Sequence, residues 1–141
     1  MYEFTRREII SISLSAVAFV LPGCSWLERR RGESIQISSI HIGNRDSSKH
    51  TIQVKLETDD RVVINKEYQI DRRRGDVGEE ILISDLPQEA NKYHLSAALS
   101  ADTVIESDLW KESSGGCINV RIQIFDSNQL TLNLDQSDSC K

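Results

Sequence analysis

From Ser34 onward, apolar and polar residues alternate in short runs, which is the period of a half-buried β-strand. Ile35 and Ile37 keep one parity while Ile40 and Ile42 keep the other, so a bulge near Ser38-Ser39 is needed to hold all four on one face of a single strand. The turn-rich Gly43-Asn44-Arg45-Asp46-Ser47-Ser48 then leads into Thr51 to Glu57, with Ile52, Val54 and Leu56 on one side. Thr58-Asp59-Asp60-Arg61 reads as a tight hairpin connection to Val62 to Ile70, which carries Ile64 and Tyr68. After the break at Arg72-Arg73-Arg74-Gly75-Asp76, Glu80 to Leu86 holds Ile81 and Ile83 until Pro87 ends it. In Lys92 to Ser100, Tyr93, Leu95, Ala97 and Leu99 oppose Lys92, His94 and Ser96, and Thr103 to Trp110 is less regular. Beyond the loop Ser113-Ser114-Gly115-Gly116, Cys117 to Phe125 aligns Ile118, Val120, Ile122 and Ile124. A hairpin turning at Ser127-Asn128 would set this run against Gln129 to Leu134, with Leu130, Leu132 and Leu134.

These are eight candidate strands, and the one helix-compatible stretch beyond residue 33, Pro87 to Lys92, is too short to stand as a helix. One apolar face per strand, with no βαβ alternation, predicts an all-β domain of two antiparallel sheets packed face to face, an immunoglobulin-like or fibronectin-like β-sandwich. Asp85-Leu86-Pro87 followed by Tyr93 resembles the tyrosine corner of such sandwiches, in which the hydroxyl ties down the preceding loop. No strand cysteines flank a tryptophan, so an antibody-type domain is not expected.

The first residues follow a different logic. Thr5-Arg6-Arg7-Glu8-Ile9-Ile10 precedes the uncharged run Ser11 to Val20, then Leu21-Pro22-Gly23-Cys24-Ser25. A short basic region, an apolar stretch and small residues before a break make a secretory signal. The adjacent Arg6 and Arg7 resemble a twin-arginine export signal. Leu21-Pro22-Gly23-Cys24 resembles the lipobox of prokaryotic lipoproteins, which implies a diacylglycerol on the Cys24 thiol and cleavage after Gly23. The expected organisation is a signal peptide over 1–23, a lipidated tether over 24–33 and a β-sandwich over 34–141. The competing reading is an uncleaved anchor, because Ile9 to Leu27 is 19 residues without a charge. Pro22, Gly23 and four serines weaken such a span, and Arg29-Arg30-Arg31 beyond it would keep the domain in the cytoplasm.

The whole layout resembles a group of small twin-arginine-exported lipoproteins common in halophilic archaea, in which such a leader precedes one β-sandwich. The resemblance rests on the leader, the Asn44…Asp46…His50-Thr51 junction, the Asp85-Leu86-Pro87…Tyr93 corner and the late Gly115-Gly116-Cys117. It implies a lipid-anchored protein on the extracytoplasmic side of the cell membrane.

Composition narrows the rest. With 141 residues the chain holds one domain, and a net charge of -5 argues against nucleic acid as a partner. Of three cysteines, lipid on Cys24 would leave Cys117 and Cys140 free to pair, although two free thiols remain the alternative. In the hairpin turning at Ser127-Asn128, Cys117 would lie opposite position 138, near enough for a small bend of the tail to bring Cys140 within reach. His41 and His94 fall on polar parities and are expected to face solvent singly, and His50 opens a strand beside a loop. No nucleophile elbow, metal-binding His-Glu-x-x-His or Cys-x-x-Cys is present, so no catalytic residue, metal or cofactor is assigned. His50 and His94 with a thiol could in principle build a soft metal site, and Asp59-Asp60 or Asp102 could join other oxygens around calcium at one end of a sandwich, but no spacing selects either. Two functions stay open: a non-catalytic module binding a protein, glycan or envelope component through loops or a strand edge, or an accessory or metal-binding lipoprotein of a membrane enzyme or transporter.

Overall fold

A computed structural model describes residues 34–140. The strands, in chain order, are β1 (Ile35–Asn44), β2 (His50–Glu57), β3 (Val62–Ile70), β4 (Glu79–Ile83), β5 (His94–Ala98), β6 (Val104–Asp108), β7 (Gly116–Phe125) and β8 (Gln129–Ser137), with one helical turn, α1 (Leu109–Glu112), between β6 and β7. They form two four-stranded sheets in the orders β4-β1-β7-β8 and β3-β2-β5-β6. The expected β-sandwich is what the chain builds. Its core is the predicted set of alternating residues: Ile35, Ile37, Ile40 and Ile42 from β1, Ile52, Val54 and Leu56 from β2, and Ile118, Val120, Ile122 and Ile124 from β7 are all buried. Burying a side chain of this size contributes about 1.5–3 kcal/mol, so this face dominates the stability.

The bulge that the parity change of β1 demanded lies where the two halves meet. Ile37 pairs with Ile118 and Ser39 with Asn119, leaving Ser38 as the extra residue. The single-residue insertion keeps Ile35 and Ile37 on the same buried face as Ile40 and Ile42.

In immunoglobulin terms β1 to β6 take the positions of strands B, C, C′, E, F and G. Two departures follow from the path of the chain. First, the flank of β1 where strand A would lie antiparallel is occupied by β7, and β7 runs parallel to β1. The expectation of purely antiparallel sheets is corrected here. The chain leaves β6 at the end where β1 begins (the basal end), crosses to the other sheet through α1, and therefore starts β7 beside the start of β1. Second, no described strand lies beyond β4, where the immunoglobulin sheet carries strand D.

Element boundaries also differ in places from the sequence pattern. Leu109–Glu112 is a helical turn instead of the end of a strand, with Leu109 buried and its N–H donated to the Tyr93 carbonyl at 3.0 Å. Pro87 to Lys92, judged too short to stand as a helix, is irregular chain in agreement with that reading. The β7–β8 connection has three residues, Asp126-Ser127-Asn128, so Cys117 faces Ser137 rather than position 138. β8 also continues to Ser137, three residues past Leu134, because Asp135 and Gln136 still pair with Asn119 and Ile118.

Candidate functional site

At the basal end the chain enters through a backbone bridge, with Ile35 and Asn91 exchanging hydrogen bonds of 3.0 and 2.9 Å. Tyr93 is fully buried, and its hydroxyl donates to the Glu89 carbonyl at 2.7 Å, four residues back, which is the tyrosine corner that Pro87 and Tyr93 announced. Arg61 pairs with Glu89 over the same loop. Burial, helped by the nearby Glu89 charge, raises the Tyr93 phenol above its usual range.

Cys117 and Cys140 are joined in a disulfide with Cα atoms 5.5 Å apart. The tail reaches it by leaving β8 after Ser137 and crossing back toward β1: the Ser38 hydroxyl donates to the Ser139 carbonyl at 3.2 Å, and the Cys140 sulfur lies 3.7 Å from the Gln36 carbonyl oxygen. The bridge closes a sequence separation of 23, worth on the order of 3 kcal/mol in the chain-entropy account. The other proposed site residues, Arg6, Arg7, Leu21, Gly23 and Cys24, lie outside the described residues.

At the opposite, apical end the Asn44…Asp46…His50 junction is a closed polar knot. The buried Asn44 amide donates to the carbonyls of Ser48 at 2.8 Å and Asp71 at 2.9 Å, and accepts the Asp46 N–H at 2.9 Å. Asp46 is buried in turn, with Oδ2 2.6 Å from His50 Nε2. The His50 imidazole holds the Asp46 carboxyl below its usual value against the opposing effect of burial, with the Ser47 N–H and Asp126 pulling the same way. Gly78 closes the knot from the next loop, where a Cβ would stand 2.9 Å from the Asn44 carbonyl oxygen.

The histidines are not single. His41 Nδ1 lies 2.7 Å from Glu80 Oε1 across the β1–β4 ladder, and His94 Nδ1 lies 2.8 Å from Asp108 Oδ1 across β5–β6. Asp108 also meets Lys111 at 2.6 Å; that ammonium first, and His94 second, hold its carboxyl below the usual value. Lys92 and Lys111 both stand 4.9 Å from the ring centre of Trp110, a half-buried residue of α1. The two metal sets considered from sequence are not assembled. His94 is opposite Glu57 at the basal end of β2, whereas His50 opens that strand at the apical end. Asp59-Asp60 lies at the basal end and Asp102 at the apical end, and neither is grouped with other carboxylates among the described residues. Among the described residues no three His, Cys, Asp or Glu side chains are grouped to hold a metal, and no helix is long and apolar enough to cross a membrane.

Two of the surface depressions carry charged side chains beside apolar or polar margins. A polar groove of about 340 Å³ on the outer face of the first sheet is lined by Arg45, Arg121 and Gln123 with Asp76, Glu79 and Glu80, so its charges largely compensate. A cleft of about 390 Å³ opens along the margin of the sandwich between β3 and β4, lined by Ile64, Lys66, Tyr68, Leu82, Ile83 and Asp85. This second site had no separate mark in the sequence beyond the inward parity of Lys66.

No protein-family model matches the chain, and no curated protein matches it. Among solved structures, an NMR structure of a protein from Eubacterium rectale is similar over 75% of this chain and 92% of that one, at 15% identity and a TM-score of 0.34.

Proposed function

We propose that the chain is a membrane-anchored extracytoplasmic lipoprotein, held through lipid on Cys24, whose β-sandwich is a non-catalytic binding or structural module. The observation that carries this reading is the cysteine arithmetic. Cys117 and Cys140 are consumed by one disulfide, which leaves Cys24, the residue in the lipobox-like Leu21-Pro22-Gly23-Cys24 behind Arg6-Arg7. A disulfide belongs in an oxidising compartment, which agrees with export. Diacylglycerol supplies two chains at one residue, and stable anchoring needs two. Residues 24–33 form a tether of ten residues that spans up to ~35 Å when extended. It leads to Ile35 at the basal end, so the apical loops and the β3–β4 margin remain free for a partner in the envelope.

The test is expression in a bacterial host with both export and lipoprotein processing. The wild-type protein is expected in the detergent phase, with an intact mass lacking residues 1–23 and carrying lipid. Cys24→Ser is expected to leave an unprocessed or released protein, and exchange of Arg6 and Arg7 for Lys to stall export. An unchanged detergent partition for Cys24→Ser, with residues 1–23 still present in the mass, would establish an uncleaved span instead.

A further inference from the structure

We propose that the cleft between β3 and β4 binds an extended, acidic segment of a partner protein, which adds as a strand along the outer edge of β4. This deepens the reading of the domain as a binding module and rests on it.

The cleft exists because the two margins are unequal. β3 has nine residues and β4 has five, and no described residue pairs with the outer edge of β4. The inward side of β3 is therefore only partly roofed. Ile64 and Tyr68 pack against the core yet stay half exposed, and Leu82, which lines the same cleft, is 57% exposed. A strand laid beside β4 would take up its free backbone donors and acceptors and cover Ile64 and Tyr68 with alternate side chains. This is recognition by β-augmentation.

Lys66 states what chemistry that strand must bring. It stands opposite Val54, a core residue, so its side chain leaves β3 on the inward face. No described carboxylate lies within ion-pair distance of its ammonium, which sits 5.5 Å from the centre of the Tyr68 ring. An inward-pointing lysine on an edge strand is a barrier to indiscriminate pairing. An apolar strand would bury the ammonium unpaired, at a cost, whereas a strand with a carboxylate opposite Lys66 would pair it. Asp85 lines the basal end of the same cleft and repels a second acidic residue there, which sets the register.

The experiment uses the full chain in detergent micelles, as wild type and as Cys24→Ser. The probes are two dye-labelled nine-residue peptides that alternate valine and threonine, one with glutamate and one with lysine at its centre, read by fluorescence anisotropy. The glutamate peptide is expected to bind wild type about tenfold or more tightly than the lysine peptide. Lys66→Glu is expected to reverse that order, and amide exchange in the complex to slow at Glu79–Ile83. Absence of binding, equal binding of both peptides, protection elsewhere than β4, or occupation of the edge by a second copy of the chain would each overturn the proposal. Cys24→Ser is expected to bind as wild type does, so a failure of anchoring and a failure of peptide recognition are read separately.

Discussion

Asp46 shows how a single side chain can tie an apical loop to the sheets and make that tie sensitive to acid. Its carboxyl is buried beside His50, and its folded pKa lies below the unfolded value of about 3.9. A carboxylate with a depressed pKa contributes stability that is fully present above the unfolded value and is lost as pH falls through the folded one. Asp46→Asn is therefore expected to be less stable than wild type at neutral pH, with the gap narrowing as pH drops below about 4. Urea unfolding at a series of pH values reads it, and a constant gap would assign the loss to packing alone. Asp46 and His50 are four residues apart, yet nothing in their spacing marked them as a pair. The partners of His41 and His94, Glu80 and Asp108, come from neighbouring strands, so only the register discloses them. Tyr93 was legible for the opposite reason: a tyrosine corner is local, and Pro87 punctuates the loop it closes.

At the scale of elements, the β7–β8 hairpin departs from its sequence pattern by one residue. Ser127 and Asn128 both adopt positive φ, 65° and 57°, in the connection. Asn tolerates this conformation and Ser does so poorly, and no glycine is present to advertise it. Ser127→Gly is expected to stabilise the protein by roughly 0.5–1 kcal/mol, because relief of the strained φ outweighs the added freedom of the unfolded chain. A lower thermal midpoint for the variant would show that the serine side chain matters more than its backbone. Strand existence was legible most plainly in β1, β2, β5 and β7, where one parity is apolar and buried. Even the bulge in β1 followed from Ile37 and Ile40 needing the same face. The turn at Leu109–Glu112 was not legible, because Leu109 is buried as a strand residue would be and a single turn has no periodicity of its own.

At the scale of the whole molecule, alternation reveals faces but not neighbours, and the parallel alliance of β1 with β7 joins segments about eighty residues apart. The same blindness hid the cleft, which exists only because β3 and β4 end up on the same margin. The β1–β7 pairing also has a mechanical meaning under the proposed anchoring, which would load the domain from its N-terminus. A pull on the chain before Ser34 draws β1 along its own axis, and the bonds to β7 and β4 lie across that axis, so they share the load instead of opening one after another. The disulfide adds a rivet where the load arrives, tying the tail to β7 beside the first residues of β1. In single-molecule pulling, handles at the N-terminus and at the Ser127 turn are expected to give a higher rupture force than handles at the N-terminus and residue 141 of the reduced protein, where β8 can peel from one end. Equal forces would deny the clamp. If the proposed anchor at Cys24 holds, the membrane would pull this sandwich along the direction in which β1 and β7 resist together.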